Sequence, residues 1–545
     1  MTWASAGSVI GSGWLFGALL VTEIAGPSGI LAWGIASVLL VFIALVIAEL
    51  GGLLPVTGGL SRFPHYSFGS FAGGTFGWMS YIQAATVAPI EVLATIQYFT
   101  TVSWASSWYK PSTNTLSGTG IGIAVLLMAF FVVVNLYGIK WFARLNNSVT
   151  TWKVFVPVLA IIWLMTTHFH SGNLTGGGGF FVHPGGAGRN IIGAIVPGGV
   201  IFSLLGFEQA AQLAGESSNP QRDIPRAVIG GMAIGAVVYI LAQLAFVVAL
   251  KPDLLVHFHS WAGLAKDGPL AASPYYTLAG LAGLGFLANI LRVDAVISPG
   301  GTGLVYMTAT SRLSYGLSKN GYIPAIFEKE SRRTRIPWFG VILTAIIGLL
   351  FLLPFPSWSS LVGIVTGASV LMYAGAPLAL GAFRKTHPDL PRPYRLPYAA
   401  VLAPLGFVIA SVIVYWSGWG VYSTLMIVIV LGYLLMLLSG VFKLNPHTPK
   451  IDWGAAWWIL PYLVGLGILS YLGNFPSGGV GIINGVGVFK NVLVGAHGHL
   501  PFWYDLGIVA AFSLVIYFVA VAMSLPRQQM DKYMEDVYPP SEALH

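Results

Sequence analysis

The sequence predicts an all-α polytopic membrane protein of about fourteen spans, in which two inverted halves of five spans each carry one broken helix, in span 1 and in span 6. Three observations predict it. Only 8% of the 545 residues are charged and 56% are hydrophobic, whereas soluble domains carry about 25% charged residues. That apolar excess can be buried only in lipid. Second, apolar runs of roughly spanning length recur at 3–24, 29–54, 74–103, 119–138, 147–167, 191–214, 226–250, 281–316, 337–354, 359–382, 397–417, 421–442, 455–473 and 505–524. Third, glycine interrupts the first and the sixth run. Five intervening steps reverse the topology, so 1–168 and 190–384 read as inverted repeats. Residues 397–525 then add further helices, and 526–545 form a cytoplasmic tail.

The first run begins almost at Met1 without a charged n-region, so no cleavable signal peptide is expected. It contains Ser8-Val9-Ile10-Gly11-Ser12-Gly13-Trp14. Glycine there lets the backbone unwind, which is tolerated in a bilayer only where the freed groups meet protein, water or ligand. The run at 281–316 is too long for one straight span and predicts a tilted or re-entrant piece at its outer end.

Charge sets the orientation. With the N-terminus inside, nineteen cations, among them Arg62, Lys140, Arg144, Arg222, Arg312, Lys319, Arg384, Lys385, Arg392, Arg395 and Lys532, fall in inner loops. Only Lys110, Arg189, Lys251, Lys266 and Lys490 fall outside. This positive-inside bias accounts for the net charge of +8 without nucleic acid. It also puts both termini in the cytoplasm, and the expected location is the plasma membrane. Outer loops rich in Gly and His carry His168, His170 and His183, which read as flexible surface or, alternatively, as pH-sensing or metal-binding groups. The chain has no cysteine, which excludes disulfides and thiolate chemistry.

The sixth run reads Phe202-Ser203-Leu204-Leu205-Gly206-Phe207-Glu208. Paired interruptions in corresponding halves point to a binding site at the bilayer midplane. Alone, such glycines serve close helix packing. Lys153 and Arg292 lie inside apolar runs, where an ionisable residue is costly and marks function. Snorkelling to the inner interface is the competing reading for Lys153.

These motifs resemble those of the amino acid–polyamine–organocation permeases. The residues that carry the resemblance are Gly7–Trp14, Glu49-Leu50 with Leu54-Pro55-Val56-Thr57-Gly58-Gly59, Gly206-Phe207-Glu208 with Asn219-Pro220 and Asp223-Ile224-Pro225-Arg226, Ser311-Arg312 with Gly321-Tyr322-Ile323-Pro324, and Pro388–Pro393. The resemblance covers about residues 1–440. Two extra C-terminal spans resemble the fourteen-span branch that includes aspartate:proton symporters. It implies a LeuT-like inverted-repeat fold and an amino acid substrate. The substrate's α-carboxylate would sit at Ser12 and Gly13, with Ile10 and Gly11 at the break. Its amino group would sit at carbonyls of spans 1 and 6, the latter around Phe202, Ser203 and Gly206. Lys153 would stand where sodium-coupled relatives hold sodium, and burial would make proton loss from it feasible near neutral pH.

Further candidates follow from depth in the membrane. Glu208, Asp294 and Glu91 are proton-coupling candidates, and Glu23 ranks with Glu91. Arg292 is a candidate partner for an acidic substrate side chain, with Asp294 as its resting partner. Phe202, Tyr306 and Tyr373 are candidate covers for the substrate. The expected function is a proton-coupled amino acid importer, acidic substrates favoured, working by alternating access. It needs no cofactor or metal beyond the proton gradient, and its partners are the amino acid, protons and the bilayer. An antiporter exchanging an amino acid for its product and a non-transporting amino acid sensor of the same fold are the alternatives. An intramembrane enzyme is disfavoured, because no HExxH, GxSxG or paired-acid motif is present. Side-chain specificity and oligomeric state are not legible.

Overall fold

A computed structural model describes residues 2–110, 115–137, 139–182, 186–214, 217–258, 260–266, 268–332, 335–352, 358–475, 498–535 and 537. His183 lies outside them. The protein is almost wholly helical. Its one described sheet is a short antiparallel pair, β1 (Tyr109–Lys110) with β2 (Thr115–Leu116).

The first half contains α1 (Thr2–Val9), α2 (Gly13–Ala25), α3 (Gly29–Leu53), α4 (Phe63–Phe68), α5 (Ser70–Phe99), α6 (Gly118–Leu136) and α7 (Ile139–Thr167). Next come α8 (Ala187–Ile195), α9 (Val200–Leu204), α10 (Gln209–Gln212), α11 (Pro220–Ala249), α12 (Pro252–Phe258), α13 (Gly268–Ala272), α14 (Pro274–Leu281), α15 (Gly285–Lys319), α16 (Trp338–Leu352) and α17 (Trp358–Thr386). The last part holds α18 (Ala399–Trp416), α19 (Gly418–Val441), α20 (Trp453–Ala456), α21 (Ile459–Leu472), α22 (Tyr504–Ala522) and α23 (Arg527–Tyr533).

Ten of the described helical segments are long and apolar enough to cross a membrane, and one of them, Gly13–Leu53, holds both α2 and α3. The chain is a multi-pass membrane protein. The most apolar window of α5 is wholly buried and that of α17 nearly so, whereas those of α6, α19 and α22 are one-third buried. Helices α5 and α17 are therefore the inner wall. On α19 the exposed face is Val430, Leu431, Leu434, Leu435 and Leu438, a surface suited to lipid. The site is assembled where α1 packs on α7, α11 and α15, and α15 packs on α5.

The re-entrant piece expected within the eighth run, 281–316, is not found there. Helix α15 is continuous over 35 residues, about 52 Å at helical rise. The chain turns before it, at Gly283 with φ +76°, and α14 ends at Leu281, where the run begins. The run of apolar letters hid a turn that only a glycine conformation marks.

Candidate functional site

The non-helical residues of the first span are Ile10, Gly11 and Ser12, between α1 and α2. Those of the sixth are 205–208, between α9 and α10. The two breaks touch through backbone. Gly206 has φ +110°, and a Cβ on it would lie 2.6 Å from the carbonyl carbon of Ser8. A Cβ on Gly13 would lie 2.8 Å from Cα of Ser203. Only glycine permits this crossing.

The opened carbonyls at the end of α1 have side-chain donors from three other helices. Tyr239 of α11 donates its hydroxyl to the Val9 carbonyl at 2.9 Å. Thr302 of α15 donates to the Ile10 carbonyl at 3.4 Å. Lys153 of α7 donates to the Gly7 carbonyl and, at 2.6 Å, to Thr302 Oγ1. Lys153 is fully buried, so it does not snorkel. Gly301 makes room for it: a Cβ there would lie 3.3 Å from Lys153 Cδ.

The facing end, the start of α2, meets a carboxyl group instead. Glu91 of α5 accepts the Ser12 backbone N–H at 2.9 Å through Oε2. The two half-helices thus meet a buried lysine at the C-terminal end of one and a buried carboxyl at the N-terminal end of the other. This is the arrangement the helix dipoles favour. A Cβ on Gly11 would meet both Glu91 Oε1, at 2.7 Å, and Thr302 Oγ1, at 2.9 Å, so Glu91 and the hydroxyl that Lys153 donates to share one small volume.

Around this centre Ser8, Val9, Gly11, Gly13, Val87, Glu91, Phe202, Ser203, Leu205, Thr302 and Tyr306 line a cavity. Its free space is about 10 Å³, roughly one water. An amino acid therefore enters only by displacing lining side chains. Trp358, the first residue of α17, covers one side. Its indole donates to Ser12 Oγ at 2.8 Å and its ring packs edge-on to Phe202 at 5.5 Å.

Two further carboxylates stand beside the cavity, each held by neutral donors. Asp294 accepts from the indoles of Trp14 at 3.0 Å and Trp152 at 2.9 Å, and from Ser298 at 2.6 Å. Glu208 accepts from Tyr373 at 2.6 Å, the Gly206 N–H at 2.9 Å, Gln209 at 3.0 Å and Tyr306 at 3.4 Å. Among the described residues neither forms an ion pair.

Of the sequence candidates, Gly11, Gly13, Phe202, Ser203, Tyr306 and Glu91 line the cavity. Ile10, Ser12, Gly206 and Lys153 bound it through the contacts above. Tyr373 reaches Glu208 instead of the cavity. Arg292 is not brought to it either. The guanidinium stacks 4.7 Å from the Tyr276 ring and bonds its hydroxyl, while Asp294 turns inward. Two residues apart on a helix, they face different ways. Glu23 is only part-buried, in the last turn of α2, and does not line the cavity. Sequence reasoning missed Thr302, Trp358 and Tyr239. The run Pro299-Gly300-Gly301-Thr302-Gly303 was a signal for the first, since glycines mid-helix mark close approach. Nothing in the local sequence marks the other two.

At the end carrying the basic loops, Glu49 of α3 is fully buried. It accepts from Arg384 at 2.9 and 2.7 Å, pairs with Arg392 at 2.9 Å and takes the Leu396 N–H at 2.7 Å. The conspicuous Glu49 and Pro388–Pro393 motifs are therefore two sides of one latch.

Residues 1–435 match the family model for amino acid permeases. The chain is 33% identical over 523 residues to the glutamate/serine transporter AimA of Bacillus subtilis, covering 94% of this chain and 90% of that one. It is 34% identical over 531 residues to the aspartate-proton symporter of the same organism, covering 96% and 95%. It is also 28% identical over 352 residues to that organism's gamma-aminobutyric acid permease, covering 61% and 66%.

Proposed function

The chain belongs to the amino acid permease family, whose members are transporters and not enzymes, and we propose that it is a proton-coupled amino acid importer of the plasma membrane that favours acidic substrates. Counting α2 and α3 as parts of separate passes, and adding the broken α9–α10 pair, α15 and α16 to the long apolar helices, makes fourteen passes with both termini inside. The two broken passes begin inverted halves of five.

The observation that carries the proposal is the occupancy of the α2 N-terminus by Glu91. A helix start is an anion site, and the substrate's α-carboxylate would go there. In the ionised form Glu91 holds that place itself. A proton on Glu91 weakens its hold on the Ser12 N–H and removes the repulsion a second carboxylate would meet. Substrate and proton then bind together. Lys153 completes the device at the end of α1. It neutralises the carbonyl end while Glu91 is charged, and it is the second group able to change protonation. Carbonyls there have a second lone pair for the substrate ammonium. Phe202, Tyr306 and Trp358 close over it. Glu208 and Asp294 are further proton sites next to the cavity, and Glu208 stands on the side of the basic loops. Arg292 belongs to the outer approach. About 15 Å of helix separates it from Thr302, so acidic preference rests on the similarity to the glutamate/serine transporter and the aspartate-proton symporter rather than on Arg292.

Uptake of the twenty amino acids into proteoliposomes, with and without an acid-outside gradient, tests the proposal. Gradient-driven accumulation led by aspartate or glutamate supports it. Counterflow that ignores the gradient indicates an exchanger, and binding without uptake indicates a sensor; either overturns it.

A further inference from the structure

A second site lies away from the transport path, at the surface of the end that carries the basic loops. The C-terminal end of α17, the loop after it, the start of α18 and the end of α22 enclose an open groove of about 730 Å³. Its rim is cationic: Arg384, Lys385 and Arg395. Its floor is apolar, with Ala399, Ala403 and Phe518 among the lining residues, and none of the lining residues is acidic. The nearest carboxylate to Arg384, Glu49, is buried and already engaged by Arg384 and Arg392.

The rim charges are not equally occupied. Lys385 donates to the Val521 and Ala522 carbonyls at 3.1 and 2.8 Å, which holds its ammonium at the mouth of the groove. Arg395 is exposed and makes no hydrogen bond or ion pair among the described residues. Away from the rim the floor runs on into Val401, Leu405 and Val515, all exposed apolar side chains of α18 and α22. That surface faces hydrocarbon in a membrane protein.

We propose that this groove is a binding site for an anionic phospholipid of the cytoplasmic leaflet, its phosphate between Lys385 and Arg395 and its acyl chain along α18 and α22. Charge complementarity selects the headgroup, since basic pockets between membrane helices on the cytoplasmic side take anionic lipid. The continuous apolar floor selects a lipid over a soluble phosphate. The site shares Arg384 with the Glu49 latch, so the headgroup lies next to the element that closes this end of the protein. The proposal rests on the membrane orientation alone and is independent of which amino acid is carried.

Native mass spectrometry of the full chain with phosphatidylglycerol, phosphatidylcholine of the same acyl chains, and glycerol 3-phosphate tests it. Each cation beside an anionic headgroup contributes roughly a fivefold factor in affinity, so Arg395→Gln should weaken phosphatidylglycerol about fivefold and the Lys385→Gln/Arg395→Gln pair about thirtyfold. Phosphatidylcholine and glycerol 3-phosphate should not be retained. Glutamine at 385 keeps an amide donor for the α22 carbonyls. If the double variant melts early, the exposed Arg395→Gln change decides alone. Equal retention of the two lipids, unchanged retention in Arg395→Gln, or displacement by glycerol 3-phosphate overturns the proposal. Amino acid uptake in the same preparations reads the transport function separately.

Discussion

Replacing Glu91 by glutamine separates its shape from its charge. The amide oxygen can still accept the Ser12 N–H that Glu91 Oε2 takes at 2.9 Å, so the break between α1 and α2 keeps its geometry. What is lost is the anion at the start of α2. A hydrogen bond to a charged group contributes about 1.5–3 kcal/mol against about 0.5–1.5 for a neutral one, and a partly buried charge at a helix end adds up to about 2. An incoming carboxylate therefore has about 2 kcal/mol less to overcome in the variant than in the ionised wild type, roughly thirtyfold in affinity. Equilibrium binding of aspartate, glutamate and serine at about pH 5.5 and about pH 8 reads this directly, since the carboxylates of the free amino acids stay ionised over that range. The sign is fixed by the competition: protonation of Glu91 releases the Ser12 N–H, so wild-type affinity should fall as pH rises. The glutamine variant should bind tightly at both values. A variant with the wild-type pH slope would refute the reasoning. So would a folded variant that no longer binds at either pH, because Glu91 would then be holding the substrate instead of keeping its place.

Other expectations follow from the same geometry. Lys153→Met removes the buried donor to Gly7 and Thr302, and gradient-driven accumulation should disappear while facilitated exchange survives; accumulation with unchanged pH dependence would exclude Lys153 from coupling. Gly206→Ala forces a side chain into a φ of +110° and against the Ser8 backbone, at about 1–3 kcal/mol for the strain alone, so binding should be lost and the melting temperature lowered. Gly34→Ala, with nothing within 4 Å, is the matched control and should be neutral. Glu49→Gln leaves Arg384 and Arg392 without their shared counter-ion, a loss of about 3–5 kcal/mol for a buried pair, and should open the basic-loop end. Because the chain has no cysteine, a single Thr57→Cys label should react faster in that background than in the wild type.

The breaks in the helices were legible because glycine is a local signal. Gly11 and Gly206 fall in the unwound stretches, and the positive φ of Gly206 states the reason in physical terms. The cost of burying charge made Lys153 and Glu91 visible too, but not their pairing with opposite ends of one broken helix. That pairing is made by α5 and α7 converging on α1 and α2, and no periodicity within a single helix reports it. Arg292 shows the converse. Its depth in an apolar run was correctly unusual, yet its direction is set by Tyr276 on the preceding helix. Trp358 was silent because a tryptophan at a helix start looks like any interfacial aromatic until Ser12 is found under its indole. The eighth run was too long by hydropathy for one straight span, yet it is one continuous helix, and the turn at Gly283 lies at its first residues, where hydropathy does not mark it.

The central claim is that substrate and proton arrive together at the junction of the two half-helices of the first span. Calorimetric binding of the transported amino acid in buffers of different ionisation enthalpy measures the protons taken up with it. About one proton per substrate above the range where Glu91 is neutral, falling to none in Glu91→Gln, is the predicted result. Binding of the amino acid to the wild type with no proton uptake at any pH would contradict the account.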